Sequence, residues 1–85
     1  MTQGEEIESE LIAFLGREVF GPETRVTAET DLVAAGFDSM SLARLLLFVE
    51  TKYGLWMPEG EITSAALLNT RSLAATVSRL LHEKK

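Results

Sequence analysis

Asp31-Leu32-Val33-Ala34-Ala35-Gly36-Phe37-Asp38-Ser39-Met40-Ser41-Leu42-Ala43-Arg44-Leu45-Leu46-Leu47-Phe48-Val49 carries the chain from an unpatterned segment into its clearest helix. Leu42, Leu45, Leu46 and Val49 recur at intervals of three and four, which lays one apolar stripe along a helix from Ser39 to about Tyr53. Asp38 and Ser39 are both favoured N-cap residues. Gly54 is placed to end the helix, because glycine enters the left-handed conformation that helix C-termini commonly use. Upstream, residues 20–38 keep neither a helical nor a strand period, so they read as one long loop anchored by Val26, Leu32, Val33 and Phe37. A connection of that length in a small domain is either functional or disordered.

On either side of this segment the chain is helical too. Ile7, Leu11, Phe14, Leu15 and Val19 predict a first helix over residues 4–19, with Thr2 and Glu5 at capping-box spacing. Gly21-Pro22 stops it, since proline lacks an amide donor and restricts the residue before it. A short helix is expected over 61–68. Leu73, Val77, Leu80 and Leu81 predict a last one over 71–83, capped by Asn69 or Thr70. No alternating run or Asn-Gly or Asp-Gly hairpin signal appears. The expectation is one all-α domain over residues 1–85: a four-helix bundle with a long first loop and a short third helix.

Composition narrows the function. The 85 residues are 46% hydrophobic and 25% charged, with a net charge of −5. That is globular rather than disordered. Residues 1–38 hold nine acids against Arg17 and Arg25, so most of the negative charge lies in the first half. An acidic chain is a poor nucleic-acid ligand, because that binding depends on clustered Lys and Arg. The longest apolar run, Leu45–Val49, falls far short of the ~20 residues of a membrane span, and the start lacks a signal-peptide pattern. There is no cysteine, hence no disulfide framework, thiolate nucleophile or Cys-ligated metal, and a reducing cytoplasm is the expected compartment.

The residues for self-contained catalysis are missing as well. The one histidine, His82, stands near the end of the chain beside Glu83-Lys84-Lys85, and no HExxH, GxxxxGK[ST] or GxGxxG motif occurs. Glu5/Glu6 and Glu59/Glu61 fall at a helix start and in a loop, where they cap and solvate rather than form a tuned acid–base pair. Ser39 has no neighbouring base to activate it, so it is a poor nucleophile by itself. As an acceptor of a modification it is better placed, at the end of a loop and the start of a helix whose first amides and dipole favour a phosphate. Gly36 allows a tight turn and Phe37 can pin the loop to the core. From these residues alone, Asp38 and Ser39 serve equally well as simple helix caps.

The pattern Asp31-Leu32-(x)3-Gly36-Phe37-Asp38-Ser39-Met40, followed by Leu42, Leu45, Leu46 and Val49, resembles the acyl and peptidyl carrier proteins over nearly the whole chain, Ile7 to Leu81. The resemblance implies that Ser39, with Asp38 as its motif neighbour, is esterified by 4′-phosphopantetheine from coenzyme A. It implies partners too: a phosphopantetheinyl transferase, an adenylating enzyme or acyltransferase that loads the arm, and a downstream acyltransferase or condensing enzyme. The protein itself would be a non-catalytic, monomeric substrate of these enzymes, with no nucleic acid or membrane partner. The missing protein thiol then fits, since the arm supplies one.

Within that family the sequence departs from the fatty-acid carriers. Met40, Ser41, Ala43, Arg44, Leu47 and Glu50 are expected to surround Ser39, with Met40, Ser41, Ala43, Arg44 and Leu47 touching partners. Arg44 stands where the fatty-acid carriers commonly have Glu. The spacing from Gly54 through Pro58 to Leu73, with Asn69-Thr70 before the last helix, is similar to stand-alone D-alanyl and other aminoacyl carriers. The absence of Pro- or Ser-rich linkers fits a discrete carrier. The resemblance therefore implies an aminoacyl or peptidyl carrier of nonribosomal peptide or polyketide assembly, as in antibiotic biosynthesis. A stand-alone polyketide acyl carrier is the near alternative, and a cofactor-free adaptor using the Met40/Ala43/Leu47 face is the more distant one. Trp56 and Met57 either contact the cargo or seat the connector after the helix.

Overall fold

A computed structural model describes residues 3–83. Four helices carry it: α1 (Gln3–Phe14), α2 (Leu32–Ala35), α3 (Ser39–Tyr53) and α4 (Thr70–Glu83), with no strand among the described residues. Ile7, Leu11 and Phe14 of α1 and Leu15 directly after it form one buried face, as the periodicity predicts. α4 lies along α1 and contributes Leu73, Ala74, Val77 and Leu80. Leu45 and Val49 of α3 close the cluster, together with Leu32, Leu55 and Met57. Each of the buried Leu, Ile, Val, Phe and Met side chains stabilises by about 1.5–3 kcal/mol. Leu42 and Leu46 are only half-buried, so the stripe on α3 is narrower than its sequence pattern.

Three features differ from expectation. The first helix does continue to Val19, but Leu15–Val19 is a π turn, with the Phe20 amide donating to the Leu15 carbonyl five residues back, 2.9 Å. Thr2 of the expected capping box lies outside the described residues. Secondly, the long loop contains α2, which Asp31 caps by accepting from the Ala34 amide at 3.1 Å. Leu32, Val26 and Phe37 anchor this loop to the core, whereas Val33 is 59% exposed.

Thirdly, the helix expected over 61–68 is a 3-10 turn at Glu59–Glu61 followed by a single turn in which the Leu67 amide donates to the Thr63 carbonyl, 3.1 Å. The eight-residue segment is too short to hold a helix by its own propensity. Thr63 also accepts from the Ala66 amide through its hydroxyl, a turn-forming bond that competes with helix. Of the two expected caps for the last helix, Asn69 is the one used, its Oδ1 accepting from the Ser72 amide at 2.8 Å. Thr70 is fully buried and its hydroxyl has no partner. Among the described residues no helix is long and apolar enough to cross a membrane.

Candidate cofactor-attachment site

The approach to Ser39 is built from one backbone motif. Gly36 ends α2 with φ of 110°, its amide donating to Val33 O at 3.1 Å, while the Phe37 amide donates to Leu32 O at 2.9 Å. This is a Schellman closure, which needs a residue with positive φ where Gly36 stands. It turns Phe37 inward, where it packs against the core, and leaves Asp38 outside. The loop before it is fastened to α4. The Arg71 amide donates to Ala28 O at 3.0 Å, and its guanidinium pairs with Glu29 and, at 3.9 Å, with Glu8.

Asp38 then starts α3. Its backbone is extended, with φ of −130°, and its Oδ1 accepts from both the amide and the hydroxyl of Ser41, each at 3.0 Å. Its carbonyl accepts the first bond of the helix, from the Leu42 amide at 2.9 Å. The amide of Ser41, then its hydroxyl, hold the Asp38 carboxyl below its ordinary value of 3.8. Asp38 is therefore ionised at neutral pH and turned onto the helix amides rather than onto a substrate.

Ser39 follows as the first residue of α3 and is exposed. Met40, Ala43, Arg44, Leu47 and Glu50 are exposed with it, Met40 by 66% and Leu47 by 64%. Ser41 corrects the expectation that it faces partners: it is buried, at 7% exposure, with its hydroxyl committed to Asp38. The helical period holds the reason, because Ser41 lies four residues before Leu45 on the inward stripe. Arg44 is not a free surface cation either, since its Nη1 donates to Glu18 O in the π turn at 3.1 Å. Met57 is buried and seats the connector, while Trp56 is 71% exposed beyond the far end of α3.

Beside Ser39, a shallow cavity of about 230 Å³ is lined by Gly36, Asp38, Met40, Ser41 and Arg44 of the loop and α3, and by Glu18 and Val19. These residues fit a phosphate-linked group on the hydroxyl. Ser39 is exposed at the positive end of a 15-residue helix, and the polar cavity is lined by its two chain neighbours, Asp38 and Met40. The adjacent Asp38 carboxylate is engaged by Ser41, and His82 is exposed in the last turn of α4. Among the described residues no group of three or more His, Asp or Glu side chains could hold a metal ion.

Sequence reasoning missed two contributors to this site, Arg71 and the Glu18 carbonyl. Neither leaves a local signal, because each acts across the fold on a segment more than twenty residues away.

No curated protein matches the chain. A family profile described as "Phosphopantetheine attachment site" matches residues 7–80. Domains of this kind carry 4′-phosphopantetheine covalently and are non-catalytic substrates of partner enzymes. They are modified by phosphopantetheinyl transferases and serve loading and processing enzymes. The match runs from the second turn of α1 into the last turns of α4, and by it the chain belongs to the phosphopantetheine-attachment-site family of carrier proteins.

Proposed function

We propose that Ser39 is the attachment point of 4′-phosphopantetheine. In this reading the chain works as one carrier domain, holding an aminoacyl, peptidyl or acyl group for a nonribosomal peptide or polyketide type of pathway. The observation that carries the reading is the exposed Ser39 hydroxyl at the start of α3, beside a carboxylate already committed to the helix cap.

The chain's own part is presentation. Gly36 and the Asp38 cap hold the helix start, so that Ser39 Oγ meets the transferase in one orientation. The oxygen bonds to phosphorus, the nucleotide part of coenzyme A leaves, and the proton goes to a base of the transferase. The bound group contributes a thiol on a flexible arm, on which the cargo rides as a thioester. Met40, Ala43, Arg44 and Leu47 then form the partner face, with Ser41 behind it. Contact there is small and brief, as it must be for a carrier that leaves each partner quickly. An acidic, cysteine-free chain acting as a monomer in a reducing cytoplasm suits this role.

The resemblance of the Gly54–Leu73 spacing to that of aminoacyl carriers supports an adenylating enzyme as the loader, and a polyketide acyl carrier loaded by an acyltransferase is the second reading. Incubation with coenzyme A and a broad-specificity phosphopantetheinyl transferase should add the mass of one phosphopantetheine, and Ser39→Ala should abolish the gain. If the variant still gains the mass, the attachment lies elsewhere. If the wild type gains none beside a competent control carrier, the cofactor-free adaptor is the better account.

A further inference from the structure

We infer that Arg71 is a positioning residue for the modification of Ser39: it holds the entrance to α2 against α1 and α4, and through α2 it sets the pose in which Ser39 meets the transferase. This rests on Ser39 being the attachment residue. Arg71 is the second residue of α4, where a cation faces the positive end of the helix dipole and is disfavoured. Its guanidinium pairs instead with Glu29 of the loop and, at 3.9 Å, with Glu8 of α1. One side chain thus joins three parts of the chain. That contact, rather than the helix it stands on, accounts for an arginine at this place.

The grip falls where the path to Ser39 begins. Glu29 belongs to a turn in which the Thr30 amide donates to Thr27 O at 3.2 Å and the Thr27 amide donates to Thr30 Oγ1 at 2.7 Å. Asp31 comes next and caps α2, whose closure at Gly36 leads through Phe37 and Asp38 to Ser39. A four-residue helix has no stability of its own, so the pose of α2 depends on what holds its two ends. Buried Leu32 and half-buried Phe37 hold it to the core. The Arg71–Glu29 pair holds its entrance at the surface, where the Arg71 amide also donates to Ala28 O at 3.0 Å. An exposed ion pair adds little to global stability. It matters more to presentation, because a pose populated only in part raises the apparent KM by the inverse of that fraction.

The test measures transferase kinetics and native-state amide exchange on wild type, Arg71→Met, Arg71→Lys, Glu29→Gln and the Arg71→Met/Glu29→Gln double variant. Arg71→Met should raise KM for the carrier about two- to fivefold at unchanged kcat, with Arg71→Lys falling between it and wild type. The Ala34, Ala35, Gly36 and Phe37 amides, which donate within α2 and its closure, should exchange faster by a similar factor, while those of Leu45 and Val77 keep their wild-type rates. On the Glu29→Gln background, Arg71→Met should add less than it does alone, because the two side chains act as a unit. Full additivity would show that Arg71 touches the transferase directly and would overturn the positioning role. So would an unchanged KM, unchanged exchange in the closure, or faster exchange at Leu45 and Val77 as well. If KM is unmoved while every variant gains the phosphopantetheine mass, this inference falls and Ser39 stands. If wild-type Ser39 is never modified, both fall.

Discussion

The Asp38 carboxylate accepts two hydrogen bonds from Ser41, and these lower its pKa below 3.8. A carboxyl whose folded-state pKa is depressed stabilises the fold above its unfolded value, and that contribution is lost as pH falls through the folded value. Asn is as good an N-cap as Asp, so Asp38→Asn removes the charge while keeping an acceptor. The variant should melt lower than wild type at neutral pH, by a small margin because the site is exposed and screened. The two melting curves should converge once pH drops well below 3.8. A difference that stays constant down to acid pH would show that the charge contributes nothing to the cap. The Asp38-Ser39 pair was legible because capping residues before an apolar period are a local signal. Ser41 was misread because it was grouped with the residues around Ser39, whereas its place four residues before Leu45 puts it on the inward stripe. The hydroxyl tolerates the interior because the cap supplies its acceptor.

Among the elements, α3 was legible at both ends, since Asp38 and Gly54 bracket an apolar stripe with strong terminal chemistry. α2 was read as loop although it carries similar brackets in miniature, an Asp cap and a glycine closure. A four-residue helix has too little length for any period to show. The π turn at Leu15–Val19 has no sequence signature here, because the stripe continues through it. What the α2 closure contributes can be isolated at Gly36. No atom stands within 4 Å of where a Cβ would sit, so space is not the constraint. Its φ of 110° is, and an L side chain held at positive φ costs roughly 1–2 kcal/mol. Gly36→Ala should lose stability of that order in urea unfolding at an unchanged slope, and should slow the modification of Ser39 by disturbing the turn that presents it. A variant as stable as wild type would mean that the loop has another conformation of equal energy.

At the level of the whole molecule, α3 is where folding and presentation meet, with Leu45 facing the core and Leu47 facing outward. A domain of this size is stable by only about 4–13 kcal/mol. Leu45 is fully buried and joins the cluster that α1 and α4 build, so Leu45→Ala leaves a cavity the short core cannot collapse around and should cost about 2–5 kcal/mol. That is a large share of the total, and part of the population should be unfolded at modest urea. Leu47→Ala, two residues on, removes the same atoms from a largely solvated position and should change stability by about 0.5 kcal/mol or less. The pair thus separates the inward and outward faces of a single helix, with the urea midpoint reading the difference at equal slope. Equal midpoints would mean that α3 is not seated against α1 and α4 as described, and the exposed face around Ser39 would then lose the support that orients it.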